Sequence, residues 1–344
     1  MLALSFAVTA GSVASAAPAA AAAVHAAVTS SPLELPVRAL PEIGLVQVLL
    51  AYPPLKVLLP LPILAAIAPA IWWFFRPTWR ELDRDAAAYR AGLAERGEMD
   101  YRPAACFVIV AAVLTMQEYY GSRSFYDDVL REPLQRWEVG HPWLRVQKYD
   151  ELLGYAWWVG ARFIGYVVIP FPLWKLLFPK DRLLDMGLRL RGFFEHIGVY
   201  GLCLAIVLPL MLLVSTQPDF GSYYPFYKGS SRSWADFLMW EGMYWLQFFS
   251  LELFFRGWMV GALRRTMGAG AIFAMALPYC MIHYGKPYLE AHGAIVAGVV
   301  LGSLAMRTRS IYAGFLVHIT VAVSMDLLSL YKRAALPVTF WSPG

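Results

Sequence analysis

Charge is what this sequence has least of. Of its 344 residues only 15% are Asp, Glu, Lys or Arg, against 59% hydrophobic, which is too apolar for a soluble domain of this length. The net charge of +5 comes from arginines scattered among loops. No basic stripe forms, so nucleic acid is excluded as a partner. There are three cysteines, Cys106, Cys203 and Cys280, each inside an apolar run. Their odd number and apolar settings argue against a disulfide framework or a thiolate metal site. No His-Glu-x-x-His run occurs, and no repeat of 20 to 50 residues or inverted symmetry between halves supports a secondary transporter. Lys and Arg are absent before Arg38, so the Ala-rich residues 1–43 lack the basic start of an export signal. They read as a weak signal or a poorly ordered leader.

Long apolar runs are abundant. Segments able to cross a bilayer, about 17 to 25 residues each, fall near 45–75, 103–119, 152–174, 196–215, 235–260, 267–284, 290–306 and 311–331. The expected fold is an all-α, polytopic helical membrane bundle of about eight transmembrane helices. The 13 Trp, 19 Tyr and 20 Phe suit interfacial belts and helix packing. Basic residues collect in 76–102, 175–195, 261–266 and 307–310, which assigns those loops to the cytoplasmic side. Segment 120–151 reads as interfacial helices and Asp219–Tyr227 as an interface anchor. The expected organisation is a leader at 1–43, N-terminal spans at 44–234, a site-bearing core at 235–331 and a tail at 332–344, in an integral protein of the cell (inner) membrane.

Within the core, Glu252 and Arg256 lie four residues apart in an aromatic run, spaced to stack on one helix face. Ionisable groups in a membrane span are costly and mark functional paths when they do not merely lock helices together. A structural ion pair would account for these two alone. His283 and His318, set in two further apolar runs, shift the balance towards a site. A Glu and a His sharing one water could deprotonate it for attack on a carbonyl, while a second His donates to the developing oxyanion. Ala294, Gly298 and Gly302, and likewise Gly257 and Gly261, repeat every four residues, a pattern that lets helices approach closely in lipid.

On these residues the segment 235–331 resembles the CPBP family, the type II CAAX prenyl endopeptidases and bacteriocin-processing relatives also called the Abi family. The family's first motif, two adjacent Glu, three residues and Arg, falls on Leu251, Glu252 and Arg256. Its second, an aromatic residue, three residues and His, falls on Tyr279 and His283. Its spaced glycines, Arg-Thr-Arg-Ser-like turn and third-motif histidine are matched by Gly298 to Gly302, Arg307 to Ser310 and His318. The resemblance implies an intramembrane endopeptidase acting on a membrane-anchored or lipidated protein among membrane lipids. It implies Glu252, His283 and His318 as catalytic residues, with Arg256, Tyr279 and Asp326 in support.

Two departures stand beside the match. Family members are thought to activate water with the first Glu of the pair, where this chain has Leu251. Four residues after the third-motif His, where a polar residue is usual, it has Ala322. Glu252 could take over the role of residue 251 only with a helix rotation or a local π-bulge, because neighbouring helical residues point about 100° apart. Asp326, eight residues beyond His318, reads more simply as a group at the end of its span, and Glu241, three turns from Glu252, is a weaker candidate still. No cofactor is expected. A zinc reading would use Glu252, His283 and His318 as two-His-one-carboxylate ligands. The alternative function is a non-catalytic scaffold or maturation partner that kept the bundle and its ion pair.

Overall fold

Helices account for the architecture, and no strand occurs among the described residues beyond one antiparallel bridge, Leu188 to Ser310. The computed structural model describes residues 57–58, 60–216, 220–286 and 288–341, and the leader expected at 1–43 lies outside them. Pro60–Gly344 is one compact unit. Its main helices are α1 (Pro60–Arg96), α2 (Arg102–Tyr120), α3 (Arg131–Glu138), α4 (Val146–Phe163), α5 (Pro170–Leu177), α6 (Ile197–Val214), α7 (Trp234–Glu252), α8 (Val260–Met267), α9 (Gly270–Met281), α10 (Tyr288–Thr308) and α11 (Tyr312–Lys332).

Among the described residues five helices are long and apolar enough to cross a membrane: α1, α2, the run Val146–Leu177, Ala291–Thr308 and α11. Ile197–Pro209 and Gly270–Met281 are shorter apolar helices. The remaining expected span is the helical run from α7 through α8, whose charges set it apart from the others. The polytopic all-α membrane bundle is therefore present, with one difference at its start. The segment expected as a loop at 76–102 is helical through Arg96. Beyond Pro77 it carries alternating acids, arginines and three successive alanines, which favour a helix even where lipid no longer surrounds it. Residues 120–151 are likewise helical in short pieces.

The run α7–α8 is the centre of the bundle. From Leu251 to Val260 every residue is buried, as expected of a helix without a polar face. Tyr166 stacks on Phe254 at 4.8 Å, and Trp174 meets Trp258 edge-on at 5.5 Å. Gly257 allows a close approach, though not by a helix: a Cβ there would lie 2.4 Å from the Met186 carbonyl oxygen. Gly298 and Gly302 do serve helix packing, lying against Ala276, Tyr279, Met275 and Ile272 of α9.

Both ends of α7 are fixed. The Ser233 hydroxyl caps the first turn by accepting from the Asp236 N–H at 3.0 Å. The chain then returns from α11 so that Thr339 and Phe340 accept from the N–H groups of Trp234 and Ala235, at 3.0 and 2.8 Å. Towards the opposite end of the bundle, Arg102 joins four elements. Its guanidinium donates to both Asp181 oxygens at 2.9 Å and to Asp100 at 3.1 Å. Thr266 and Tyr89 donate to the other Asp100 oxygen, and Trp174 donates to Asp181. Burial alone would raise both carboxyl pKa values. The Arg102 backbone N–H and guanidinium outweigh it at Asp100, and the Arg102 guanidinium does so at Asp181, so both are lowered.

Candidate functional site

Glu252 is the last residue of α7, and a π-helical turn, Leu253–Met259, follows it directly. In such a turn each N–H reaches five residues back rather than four, which shifts the register of everything downstream. Because it begins after Glu252, Leu251 and Glu252 stay on successive α-helical positions and the shift falls on Arg256. Leu251 itself is buried in the main apolar cluster, so the position aligned with the family's first Glu is sealed by hydrocarbon.

Glu252 Oε1 lies 3.0 Å from Arg256 Nη1 and 3.0 Å from His318 Nδ1. Glu252 and Arg256 are 1% and 0% exposed. The contacts are close but off-axis: Oε1, the three guanidinium nitrogens and His318 Nδ1 form no aligned hydrogen bond. A carboxylate oxygen only accepts, so the His318 nitrogen facing it is the protonated one. The other carboxylate oxygen rests on the first turn of α11, where a Cβ on Gly314 would come within 2.7 Å of it. Gly314 is what allows the α7 carboxylate to reach α11.

Tyr279 of α9 connects the remaining groups. Its ring lies 3.7 Å beneath the Arg256 guanidinium carbon, a cation–π contact at close range. Its hydroxyl is 3.5 Å from His318 Nε2. Its backbone carbonyl is 2.8 Å from His283 Nδ1, and the His283 ring meets its ring edge-on at 4.7 Å. A carbonyl can only accept, so His283 Nδ1 carries the proton and Nε2 keeps its lone pair. Phe248 stacks on His318 at 5.1 Å and fixes the plane of that imidazole.

Glu252, Arg256, Tyr279, His283 and His318 are thus brought together: Arg256, His283 and His318 each touch Tyr279, and Glu252 touches Arg256 and His318. Asp326 is not among them. It is buried at a separate place between α7 and α11, where the Trp240 indole donates to it at 2.8 Å. Its Oδ1 and both oxygens of the neighbouring buried Glu241 have no hydrogen-bond partner. Ala322, one turn past His318, is buried in a cluster with Leu152, Tyr227, Trp240 and Tyr244. The zinc set does not form: Glu252 meets His318, but among the described residues no three His, Cys, Asp or Glu side chains converge to hold a metal.

Two residues of the site went unread in the sequence, Gly314 and Phe248. Both carried a signal, since Gly314 is four before His318 and Phe248 four before Glu252, one turn away on the same helix faces.

Residues 233–324 match the family model described as type II CAAX prenyl endopeptidase Rce1-like. No curated protein and no solved structure matches the chain. The matched stretch opens at the Ser233 cap of α7 and closes in α11 beyond His318, so it contains all five converging residues. The chain is an integral membrane protein whose residues 233–324 are similar to the Rce1-like type II CAAX prenyl endopeptidases of the CPBP family.

Proposed function

We propose that the protein is an intramembrane endopeptidase of the cell (inner) membrane, hydrolysing a peptide bond in a membrane-anchored or lipidated protein. The observation that carries this reading is the meeting of His283 and His318 with the Glu252–Arg256 pair around Tyr279. His283 Nε2, its lone pair left free by the bond from Nδ1 to the Tyr279 carbonyl, takes the proton of a water as the water oxygen adds to the scissile carbonyl. The tetrahedral oxyanion is met by the Tyr279 hydroxyl, which stands beside His318 Nε2. The C–N bond then breaks, and the His283 imidazolium returns the proton to the leaving amine. Glu252, whose Oε1 is shared by Arg256 and His318, is a positioning residue here: it holds His318 in one tautomer, as a carboxylate does behind a catalytic histidine.

A second reading, a non-catalytic scaffold or maturation partner, is favoured by Leu251 and Ala322, both sealed in apolar surroundings. The two are separated by profiling shortened membrane-anchored proteins in cells carrying wild type, His283→Ala or Glu252→Gln, each variant checked for expression. An uncleaved precursor common to both variants supports the endopeptidase. Identical protein profiles, with a phenotype only on deletion, support the scaffold.

A further inference from the structure

A second charged feature lies away from the site, where the ends of α8 and α10 meet the middle of α1. A cavity of about 470 Å³ opens there, lined by Arg264, Arg265, Arg307 and Arg309 on one side and by Glu81 and Asp85 of α1 on the other. Its walls are held in place: Arg90 donates to the Thr266 carbonyl at 2.6 Å, and the Ala269 N–H donates to Asp83 at 2.8 Å. None of the four guanidinium groups makes an ion pair or a hydrogen bond among the described residues. Arg307 has only the Phe74 ring, 5.9 Å away. Arg264, partly buried, is crowded by Arg265 and Arg309. The one acid facing it across the adjoining turn, Asp185, is paired with Arg189.

Arg309 adds an observation of a different kind. Its backbone adopts φ +54°, a left-handed conformation that glycine accepts freely and a branched-off side chain does not. An arginine at such a position, with its side chain in a cavity beside three other guanidinium groups that form no ion pair or hydrogen bond among the described residues, points to an anion. One carboxylate would occupy a single guanidinium fork, whereas the several oxygens of a phosphoryl group can accept from more than one. The place is also suitable. Trp72 and Trp73 stand exposed on α1 one turn before the cavity, as aromatic residues do at the membrane interface, and basic pockets between membrane helices are sites for lipid head groups. Leu82 and Met306 give the lining an apolar portion.

We infer that this cavity is a phosphoryl-anion site of the kind an anionic phospholipid head group fills, separate from the Glu252 site. The full chain, purified in neutral detergent and depleted of lipid, is titrated with short-chain phosphatidylglycerol, phosphatidylcholine of equal chain length and inorganic phosphate, and bound molecules are counted by native mass spectrometry. Phosphatidylglycerol binds at least about tenfold more tightly than phosphatidylcholine, and Arg307→Gln and Arg309→Gln each weaken it by about fivefold. Arg136→Gln, which removes an exposed pair with Glu132, leaves it unchanged. Inorganic phosphate that displaces the lipid at equal concentration keeps the site and makes free phosphate its ligand; failure to displace makes the lipid its ligand. Equal binding of the two lipids, or unaltered phosphatidylglycerol binding by Arg307→Gln and Arg309→Gln proteins that melt as wild type, overturns the inference.

Discussion

Arg102 at the edge of the bundle and Arg256 in its interior stand at nearly the same distance from a carboxylate, 2.9 and 3.0 Å, yet the two clusters are built differently. Around Arg102 each donor has an aligned acceptor, and the acids are further held by Thr266, Tyr89 and Trp174. Around Arg256 the charges touch without aligned hydrogen bonds, and an aromatic ring takes the place of a second acid. Hydrogen-bonded completeness is what a staple needs. A site that must meet a substrate or a developing charge keeps donors uncommitted, and low polarity around it raises the strength of whatever arrives.

Substitutions can break that contrast. The largest effect is expected at His283. His283→Ala lowers cleavage of the native substrate by about 10²- to 10⁴-fold while leaving the melting temperature in detergent close to wild type; a variant that cleaves normally removes the assignment of its Nε2 as base. Next comes Arg256→Met, which leaves Glu252 buried without its counter-ion and costs roughly 3 to 5 kcal/mol of stability. Adding Glu252→Gln recovers much of that loss. Arg102→Met costs less, about 2 kcal/mol, because water can reach the acids it abandons. Equal losses at Arg102 and Arg256 in denaturant titrations would erase the distinction between staple and site.

Gly314→Ala sharpens the comparison from the steric side. The added methyl meets Glu252 Oε2 at 2.7 Å, so stability falls by about 1 to 3 kcal/mol, and the carboxylate is pushed from His318. Cleavage falls with it, whereas the same change at Gly160, where nothing lies within 4 Å, is silent in both assays. The smallest effect is one of pH. Asp100 and Asp181 have folded-state pKa values below their unfolded ones. Their stabilisation is therefore complete above the unfolded value near about 3.9 and is lost as pH falls through the lowered folded values. Acid titration of the melting temperature reads this directly, and Asp181→Asn flattens the acid limb.

The eight apolar runs and the three motifs were readable because they rest on local regularities: run length, the four-residue spacing of Glu252 and Arg256, and the aromatic-x-x-x-His of Tyr279 and His283. What escaped needed two segments at once. That Glu252 meets α11 over Gly314 depends on a missing side chain in another helix. That Asp326 joins Trp240 rather than His318 depends on how α7 and α11 pass each other. The extension of α1 through the segment expected as a loop has a simpler reason, since charge ends a membrane span but does not end a helix. The π turn after Glu252 had no signal of its own, because nothing in Leu-Phe-Phe-Arg-Gly marks it.

The backbone bonds from Thr339 and Phe340 to the start of α7 carry the first helix of the matched stretch beyond its own limits. The family match ends at residue 324, but the accounting of N–H groups for its first helix ends sixteen residues later, at Phe340. A fragment cut to the matched stretch would begin with a helix whose first donors have lost their acceptors. The helix that carries Glu252 is therefore completed by residues outside the family match, and a fusion or truncation near the C-terminus acts on that helix.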